Sequence, residues 1–414
     1  MGIRARTLAT IATLGGLAVL TGCGTAAAAT WQGPGTQVAG NSASTVAVAA
    51  PADAATDIST ASEIAFKATN AATTSVTLAD ADGNAVDGAM RADGTAWVPA
   101  TQLKYATTYT ATVTATGKGK PASKKVTFTT MKRPGNLIRV STPLEDDGVY
   151  GVALPLVVRF GDDVPADQRA NVERRLFVTS EPAQEGSWYW FSANEVHFRT
   201  KDYWQENTKF SVRLAVGGLS LGGNAYGAED ITIRASIGAK LVMTTDNATH
   251  TMTVTQHDQV VRTIPVSLGK ASKPSSSGNM VVMTKAQAEL FVGTDPGDSY
   301  RTTVYWTQRL TWGGEYIHAA PWSVGDQGHR NVSHGCTNMS TENAQWLFGL
   351  THVGDPVIVT GTEMKLDWGN GWTDWDKPWT EYLKGSALPH PAARPSAGPS
   401  TGPSAGPSGA PAGN

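Results

Sequence analysis

The sequence predicts a mainly β protein in which two sandwich domains are followed by a third β-rich domain. The chain has 414 residues, which is too long for a single hydrophobic core. Short segments in which apolar and polar residues alternate recur from Ser75 to Thr360, as expected for half-buried strands. One such pattern occurs twice, with Trp97 and Phe198 as corresponding residues. These three features favour several β domains in series over one large fold.

The first 22 residues have the layout of a signal peptide. Arg4 and Arg6 precede an uncharged apolar run over 7–20, which is too short to span a membrane and suits a signal-peptide core. The run ends in Leu-Thr-Gly before Cys23, and this sequence resembles the cleavage box of bacterial lipoproteins. The resemblance implies cleavage before Cys23, a lipid on its sulfur, and anchoring on the extracytoplasmic face of the cell membrane. The alternative is an ordinary secretory signal with a chance cysteine.

Two segments of low complexity flank the folded region. Residues 23–51 are rich in Ala, Thr, Ser and Gly, which predicts a flexible tether. In residues 386–414 a proline recurs at every fourth position from 391 to 411, which predicts a disordered, solvated tail. The chain as a whole has 33 Lys and Arg against 35 Asp and Glu, a net charge of −2. This balance argues against nucleic acid as the main partner, because binding phosphates needs a basic surplus.

The repeated pattern predicts two sandwiches of similar size. Residues 97–113 align with 198–214, and each copy alternates apolar and polar positions after a shared threonine. The repeat length is near that of an immunoglobulin-like sandwich, so we predict such domains at 52–131 and 136–236. Further strands are predicted at 75–78, 125–129, 156–160, 176–179 and 231–234.

A third domain is predicted at 238–361. Two strands, 240–245 and 250–255, flank a turn, and a helix at 341–349 has Ser340 as its N-cap. Further strands are predicted at 260–268, 280–284, 302–306 and 357–360.

A short extension, 362–385, follows the third domain. It carries four tryptophans at helical spacing: Trp368, Trp372, Trp375 and Trp379. We expect these indoles to pack on the third domain. The alternative is a surface that stacks on sugars.

The residue types needed for thiol catalysis lie close together in the third domain. A catalytic thiol requires a base that removes its proton, and imidazole is suited to that task. His318 and His334 lie near Cys336 in the sequence, and Gly335 provides backbone without side-chain bulk, where N–H groups can converge on an oxyanion. Two alternatives are an inert core thiol and a metal site of these two histidines and the cysteine, although no fourth ligand is evident.

The segment Ser333-His334-Gly335-Cys336-Thr337-Asn338, with His318 upstream, resembles the signature of the L,D-transpeptidase (YkuD) catalytic domain. The order of lipoprotein box, two sandwiches, catalytic domain and Trp-rich extension is similar to the mycobacterial-type branch of that family. The resemblance covers about 52–385. One departure concerns substrate contacts: Ser276 to Met280 stand where such domains have a Thr/Pro-Ser/Thr-Gly turn.

The resemblance assigns roles to individual residues. It implies Cys336 as nucleophile, His318 as general base, and the Ala319 carbonyl as the group that orients the imidazole. The N–H groups of Gly335 and Cys336, with His334, would form the oxyanion hole, and no cofactor is implied. The residues implied to line the substrate cleft are Tyr300, Gly313, Gly314, Trp322, Ser333, His334 and Asn338.

The function implied is the formation of 3→3 cross-links in peptidoglycan. Cys336 would take an acyl group from a tetrapeptide stem, release D-Ala, and pass the acyl group to the amine of a second stem. Carbapenem-type β-lactams would be covalent inhibitors. The alternatives are an L,D-carboxypeptidase, in which water takes the acyl group, and a non-catalytic wall-binding lipoprotein.

One further feature is a candidate calcium site. Asn224, Glu229 and Asp230 lie on a Gly-rich loop and offer the oxygen ligands that calcium prefers. The alternative is a solvated turn.

Overall fold

The computed structural model describes residues 43–389, apart from 295 and 298. The predicted signal peptide, Cys23, the tether up to residue 42 and the tail from residue 390 lie outside the described residues. Within the described part of the chain, no helix has the length and apolar character that crossing a membrane requires.

The first sandwich consists of two sheets around a core that includes Ile64, Trp97, Tyr109 and Phe128. The sheet orders are β1-β3-β7-β6 and β2-β9-β8-β4-β5. The strands are β1 (Thr45–Ala50), β2 (Ala55–Ile58), β3 (Ile64–Thr69), β4 (Thr73–Asp80), β5 (Ala85–Val86), β6 (Gly88–Met90), β7 (Ala96–Pro99), β8 (Thr108–Thr116) and β9 (Ala122–Thr130).

The tether predicted to reach residue 51 is wrong at its C-terminal end. Residues 45–50 form β1, which pairs antiparallel with β3. Val46 and Val48 alternate with more exposed residues and pack against the core of the first sandwich. The Ala and Thr content of this segment suggested a tether, but its alternation is that of an edge strand.

The second sandwich contains three sheets and one short helix. The sheet orders are β11-β13-β16-β15, β12-β20-β17-β14 and β10-β19-β18. The elements are β10 (Leu137–Ile138), β11 (Val140–Ser141), β12 (Val149–Tyr150), β13 (Leu156–Phe160), α1 (Ala166–Glu173), β14 (Leu176–Glu181), β15 (Gly186–Trp190), β16 (Glu195–Thr200), β17 (Lys209–Leu214), β18 (Ser220–Gly222), β19 (Ala225–Gly227) and β20 (Ile231–Ile237).

The sequence repeat corresponds to equivalent strands in the two sandwiches. Trp97 and Phe198 are buried on β7 and β16, and Tyr109 and Phe210 are buried on β8 and β17. The helix α1 had no sequence signal, because only its last two residues are buried and the other six are polar residues or alanine. Without an apolar face, a short helix shows no period of 3.6 residues.

The third domain is built on a six-stranded sheet, β23-β22-β21-β29-β24-β30, and a four-stranded sheet, β25-β26-β27-β28. The two sheets and the helix α2 enclose one apolar core. The elements are β21 (Leu241–Asp246), β22 (Thr251–Gln256), β23 (Gln259–Pro265), β24 (Ser276–Val281), β25 (Thr284–Gly293), β26 (Tyr300–Arg309), β27 (Tyr316–Ala319), β28 (Thr337–Met339), α2 (Thr341–Leu350), β29 (Pro356–Thr360) and β30 (Met364–Lys365).

Two local predictions in this domain have different outcomes. The N-cap of α2 is confirmed, because the Ser340 hydroxyl accepts a hydrogen bond from the Asn343 N–H. The strand predicted at 280–284 is wrong, because β24 ends at Val281 and β25 begins at Thr284 in the other sheet. Residues 280–283 are all buried, so a continuous apolar run marks the crossing between two sheets.

The extension packs mainly on the second sandwich, so the prediction that its indoles pack on the third domain is wrong. Trp372 belongs to the core of the second sandwich, and the Trp375 indole N–H donates to the Ala153 carbonyl at 2.7 Å. Trp368 stacks on Phe191 with ring centroids 4.6 Å apart. The extension also contains α3 (Trp379–Tyr382). The helical spacing of the four tryptophans does not correspond to one helix, because only Trp379 lies in α3.

Candidate active site

Two parallel strands bring His318 and the motif residues from Ser333 to Asn338 together. β27 and β28 pair so that Ile317 faces Thr337 and His318 faces Asn338. Cys336 immediately precedes β28, so the thiol lies at the start of the strand that neighbours the imidazole. The Cys336 thiol donates to the Gly314 carbonyl at 3.6 Å, on the turn that leads into β27.

The loop before β28 is held by the hydroxyl of Ser333. This hydroxyl donates to the Cys336 carbonyl at 2.6 Å and accepts from the Gly335 N–H at 3.1 Å. Gly335 has a φ of +119°, a backbone conformation that residues with a Cβ rarely adopt. Because the Gly335 N–H is engaged by Ser333, the proposed oxyanion donors that remain are the N–H groups of His334 and Cys336.

The His318 imidazole is buried and oriented by one backbone group. Its Nδ1 lies 2.9 Å from the Ala319 carbonyl, which accepts a hydrogen bond, so Nδ1 carries the proton and Nε2 is the basic atom. Burial lowers the pKa of His318 to about 4, although the bond to Ala319 opposes this shift. The imidazole is therefore neutral at physiological pH.

The Cys336 thiol is buried as well, with 8% of the residue exposed. Burial raises the pKa of Cys336 to about 12, the charge of Glu315 adds to this, and a hydrogen bond from the Tyr316 backbone opposes it. Thiol and imidazole are thus both neutral in the resting site. Such a pair transfers its proton when the sulfur attacks, rather than holding a permanent thiolate.

Glu315 and Ser276 form a pair behind the catalytic loop that the sequence did not reveal. The Glu315 carboxylate accepts from the Ser276 N–H at 3.1 Å and from its hydroxyl at 2.6 Å. Burial raises the pKa of Glu315, and the two hydrogen bonds oppose this shift. Ser276 lies in the segment that departs from the family pattern, and here it contacts a carboxylate of the protein.

A cleft of about 450 Å³ opens over the thiol. Its lining includes the implied residues Tyr300, Trp322, Ser333, His334 and Asn338 together with His318 and Cys336. Gly313 and Gly314 are not among the lining residues. The Gly313 N–H donates to Asn370 on the extension at 2.7 Å, and Gly314 contacts the thiol through its carbonyl.

Other residues of the cleft had no signal in the sequence. Phe291, Thr302 and Val304 come from the hairpin of β25 and β26, far from the motif in the chain. Trp322 is 60% exposed and forms an apolar wall at the cleft. Lys270 donates to His334 Nε2 at 3.2 Å, so the other ring nitrogen of His334 carries the proton.

Neither cation-binding alternative is supported by the geometry. In the described ranges, no three His, Cys, Asp or Glu side chains are grouped so as to hold a metal ion. Asp230, from the candidate calcium loop, instead pairs with Arg213 at 2.9 Å and accepts from the Gly217 N–H at 2.9 Å.

The site is that of an enzyme that transfers acyl groups through a cysteine. It combines a neutral thiol, a tautomerically fixed imidazole, backbone N–H groups and a cleft for an extended substrate.

Comparisons with known proteins place this site in a family. Residues 55–220 match the bacterial Ig domain family, and residues 240–359 match the L,D-transpeptidase catalytic domain family. The chain is 32% identical over 342 residues to L,D-transpeptidase 2 of Mycobacterium tuberculosis, covering 81% of this chain and 83% of that protein. It is 34% identical over 353 residues to L,D-transpeptidase 5 of the same species, and the match covers 83% of this chain and 77% of that protein.

Solved structures with similar sequences include an LD transpeptidase in complex with imipenem. It is 33% identical and covers 55% of this chain and 100% of its own, with a TM-score of 0.47. An L,D-transpeptidase from Mycobacterium smegmatis is 31% identical, with a TM-score of 0.44, and the match covers 54% of this chain and 99% of that structure's chain. On the strength of the long sequence matches, the chain belongs to the L,D-transpeptidase family and is a transpeptidase of peptidoglycan synthesis.

Proposed function

We propose that Cys336 and His318 carry the acyl transfer that forms 3→3 cross-links. The observation that carries this proposal is that His318 on β27 and Cys336, directly before the adjacent parallel strand β28, line one cleft. The donor is a tetrapeptide stem, whose third, diamino-acid residue offers its carbonyl to the sulfur. The acceptor is the side-chain amine of the third residue of another stem.

In the first half-reaction His318 Nε2 takes the thiol proton while the sulfur bonds to the donor carbonyl carbon. The carbonyl oxygen becomes negative and accepts from the N–H groups of Cys336 and His334. When this intermediate collapses, the bond to the terminal D-Ala breaks and His318 returns the proton to the leaving amine. The pKa of His318, about 4, makes its protonated form a strong acid for this step.

In the second half-reaction the acceptor amine attacks the thioester carbon. His318 removes a proton from the amine, the carbon–sulfur bond breaks, and the proton returns to sulfur. If water takes the place of the amine, the same steps give a carboxypeptidase product. Product analysis with and without an amine acceptor therefore separates the two activities.

The location proposed for the enzyme follows from its N-terminal sequence. Lipid attachment at Cys23 would place the protein on the extracytoplasmic face of the cell membrane, next to its peptidoglycan substrate. In sequence order, the two sandwiches, from Thr45 to Ile237, lie between this anchor and the catalytic domain.

Carbapenem-type β-lactams are proposed as covalent ligands of Cys336. One similar solved structure is a complex with imipenem, and another contains a faropenem-derived adduct. A strained lactam carbonyl would occupy the position of the donor carbonyl, and ring opening would leave the acyl group on sulfur with no loss of atoms.

The test is intact-mass analysis of the full chain after incubation with a carbapenem, followed by peptide mapping. The expected result is an adduct of the full inhibitor mass on Cys336, with none in Cys336→Ala. His318→Ala should acylate slowly, while His329→Ala, which changes an exposed histidine outside the cleft, should acylate as the wild type does. An adduct on another residue would contradict the assignment.

A further inference from the structure

A second buried serine hydroxyl holds the catalytic loop from the side opposite Ser333. Ser275 is 2% exposed and precedes β24. Its hydroxyl accepts from the Gly269 N–H at 3.0 Å and donates to the Gly335 carbonyl at 2.6 Å. Because the incoming N–H occupies the oxygen from one side, the hydroxyl proton is directed at Gly335.

The segment that carries Ser275 is itself fixed against the catalytic loop. The Lys270 N–H donates to the Ser333 carbonyl at 2.9 Å, and the Ser333 N–H donates to the Leu268 carbonyl at 3.0 Å. Gly269 lies so close to this turn that a Cβ there would be 2.1 Å from the Lys273 carbonyl oxygen. The position of the Ser275 hydroxyl is therefore set by backbone contacts.

The bond to Gly335 determines where the next N–H points. The Gly335 carbonyl and the Cys336 N–H belong to one planar trans peptide, so the two groups point in opposite directions. The carbonyl points at Ser275, which does not line the cleft. The side chains of Ser333, His334 and Cys336 do line the cleft. The Cys336 N–H is accordingly directed away from Ser275 and toward the cleft.

We propose that Ser275 is a positioning residue for acyl transfer, which aims the Cys336 N–H at the oxygen of the tetrahedral intermediate by holding the Gly335 carbonyl. This inference rests on the proposed function of Cys336. Ser275 itself touches no substrate. It matters most for this N–H because the neighbouring Gly335 N–H is bound to Ser333.

Two reactions of the same thiol separate this role from a purely structural one. Acylation by a carbapenem forms the carbon–sulfur bond, breaks the lactam C–N bond and passes the thiol proton to that nitrogen, through an oxyanion. Alkylation by iodoacetamide forms a carbon–sulfur bond, expels iodide and passes the thiol proton to His318, without an oxyanion. Loss of oxyanion alignment therefore slows the first reaction alone.

The experiment compares both rates in full-chain wild type, Ser275→Ala, Ser275→Thr and Ser277→Ala. We expect Ser275→Ala to slow acylation about 10- to 100-fold, below the full effect of deleting an oxyanion donor, and to leave alkylation within about 2-fold. Ser275→Thr keeps the hydroxyl and should restore most of the acylation rate. Ser277→Ala is the matched control, because its hydroxyl contacts Thr362 instead.

The proposal is overturned if Ser275→Ala acylates at the wild-type rate, or if acylation and alkylation fall together. A second measurement needs no variant. In the ¹⁵N-labelled wild type, the Cys336 amide proton should shift downfield on carbapenem acylation more than the Gly335 amide proton, and the reverse order would overturn the proposal. If the wild type forms no adduct at Cys336, the proposed function itself fails, which is a different outcome.

Discussion

A buried histidine joins the extension to the second sandwich, and one substitution there tests the electrostatics of the fold. His197 is fully buried, with Nδ1 3.0 Å from an Asp374 carboxylate oxygen and Nε2 2.9 Å from Glu195. Burial alone would lower the pKa of His197, but Asp374 and Glu195 outweigh it and raise the pKa to about 9. Both ring nitrogens then donate to carboxylates, so the imidazole is charged at neutral pH.

Asp374→Asn removes one of the two charges that stabilise this imidazolium. The pKa of His197 is about 2.5 units above its ordinary value of 6.5 (9 − 6.5), which corresponds to about 3 kcal/mol of folding free energy. Breaking a buried pair in other proteins costs about 3–5 kcal/mol, which is of the same size. Because Glu195 remains as a partner, we expect Asp374→Asn to lower the free energy of unfolding by up to about 3 kcal/mol at pH 6.

The pH dependence of this loss has a definite sign. Because the folded-state pKa is raised, the stabilisation is fully present below pH 6.5 and disappears as the pH rises through about 9. Urea unfolding followed by circular dichroism, at pH 6 and at pH 10, measures the difference between wild type and variant. Asp376→Asn, on the same extension, is the control, since its carboxylate accepts from the Asn279 N–H and contacts no buried histidine.

The reasoning is refuted if Asp374→Asn costs less than about 1 kcal/mol at pH 6, or if the cost is the same at pH 6 and pH 10. The first result would mean that the buried pair gives no net stabilisation. The second would mean that the cost comes from packing, for instance from the lost hydrogen bond of the Tyr382 hydroxyl to Asp374, rather than from the charge on His197.

Three further predictions concern the site, the anchor and the domain junction. His318→Ala should slow acylation by about 10²–10⁴-fold and leave the fold intact. Wild-type acylation should persist to pH 5 and fall as the pH drops through about 4, because the base is then protonated. A wild-type rate that falls near pH 6.5 would contradict the assigned pKa. Cys23→Ala should release the protein from the membrane fraction into the soluble one, and a wild type that is already soluble would refute lipid anchoring. Glu63 pairs with Arg175 at 2.7 Å at the junction of the two sandwiches, and also with Arg91. Glu63→Gln should therefore destabilise this junction and accelerate proteolysis near residues 131–136. An unchanged cleavage rate would mean that the junction does not depend on these pairs.

Features that are local in the sequence were predictable, and features that depend on distant contacts were not. The strand that contains Tyr109 and the equivalent strand that contains Phe210 were predictable, because apolar and polar residues alternate within each segment. The motif from Ser333 to Asn338 could be found because the chemistry is concentrated in one loop. By contrast, β1 has the composition of a tether, and its strand conformation depends on pairing with β3.

The same limit applies within the site. Ser275 and Glu315 are far apart in the chain. Only the folded structure shows that the Ser275 hydroxyl bonds to the Gly335 carbonyl and that the Glu315 carboxylate bonds to Ser276. Phe291 reaches the cleft because β25 pairs with β26 next to β27. No spacing rule connects such positions, because sheet neighbours are fixed by the topology of the whole domain.

The most direct test of the central claim is the reaction itself. The full chain is incubated with a peptidoglycan tetrapeptide, with and without an amine acceptor, and the products and the intact protein are followed by mass spectrometry. We expect release of D-Ala, a transient acyl group on Cys336, and a cross-linked dimer that appears only with the acceptor and is absent in Cys336→Ala. A cross-linked dimer formed by Cys336→Ala would contradict a cysteine transpeptidase. So would a reaction that releases D-Ala in the presence of the acceptor but yields only the hydrolysed peptide and no dimer.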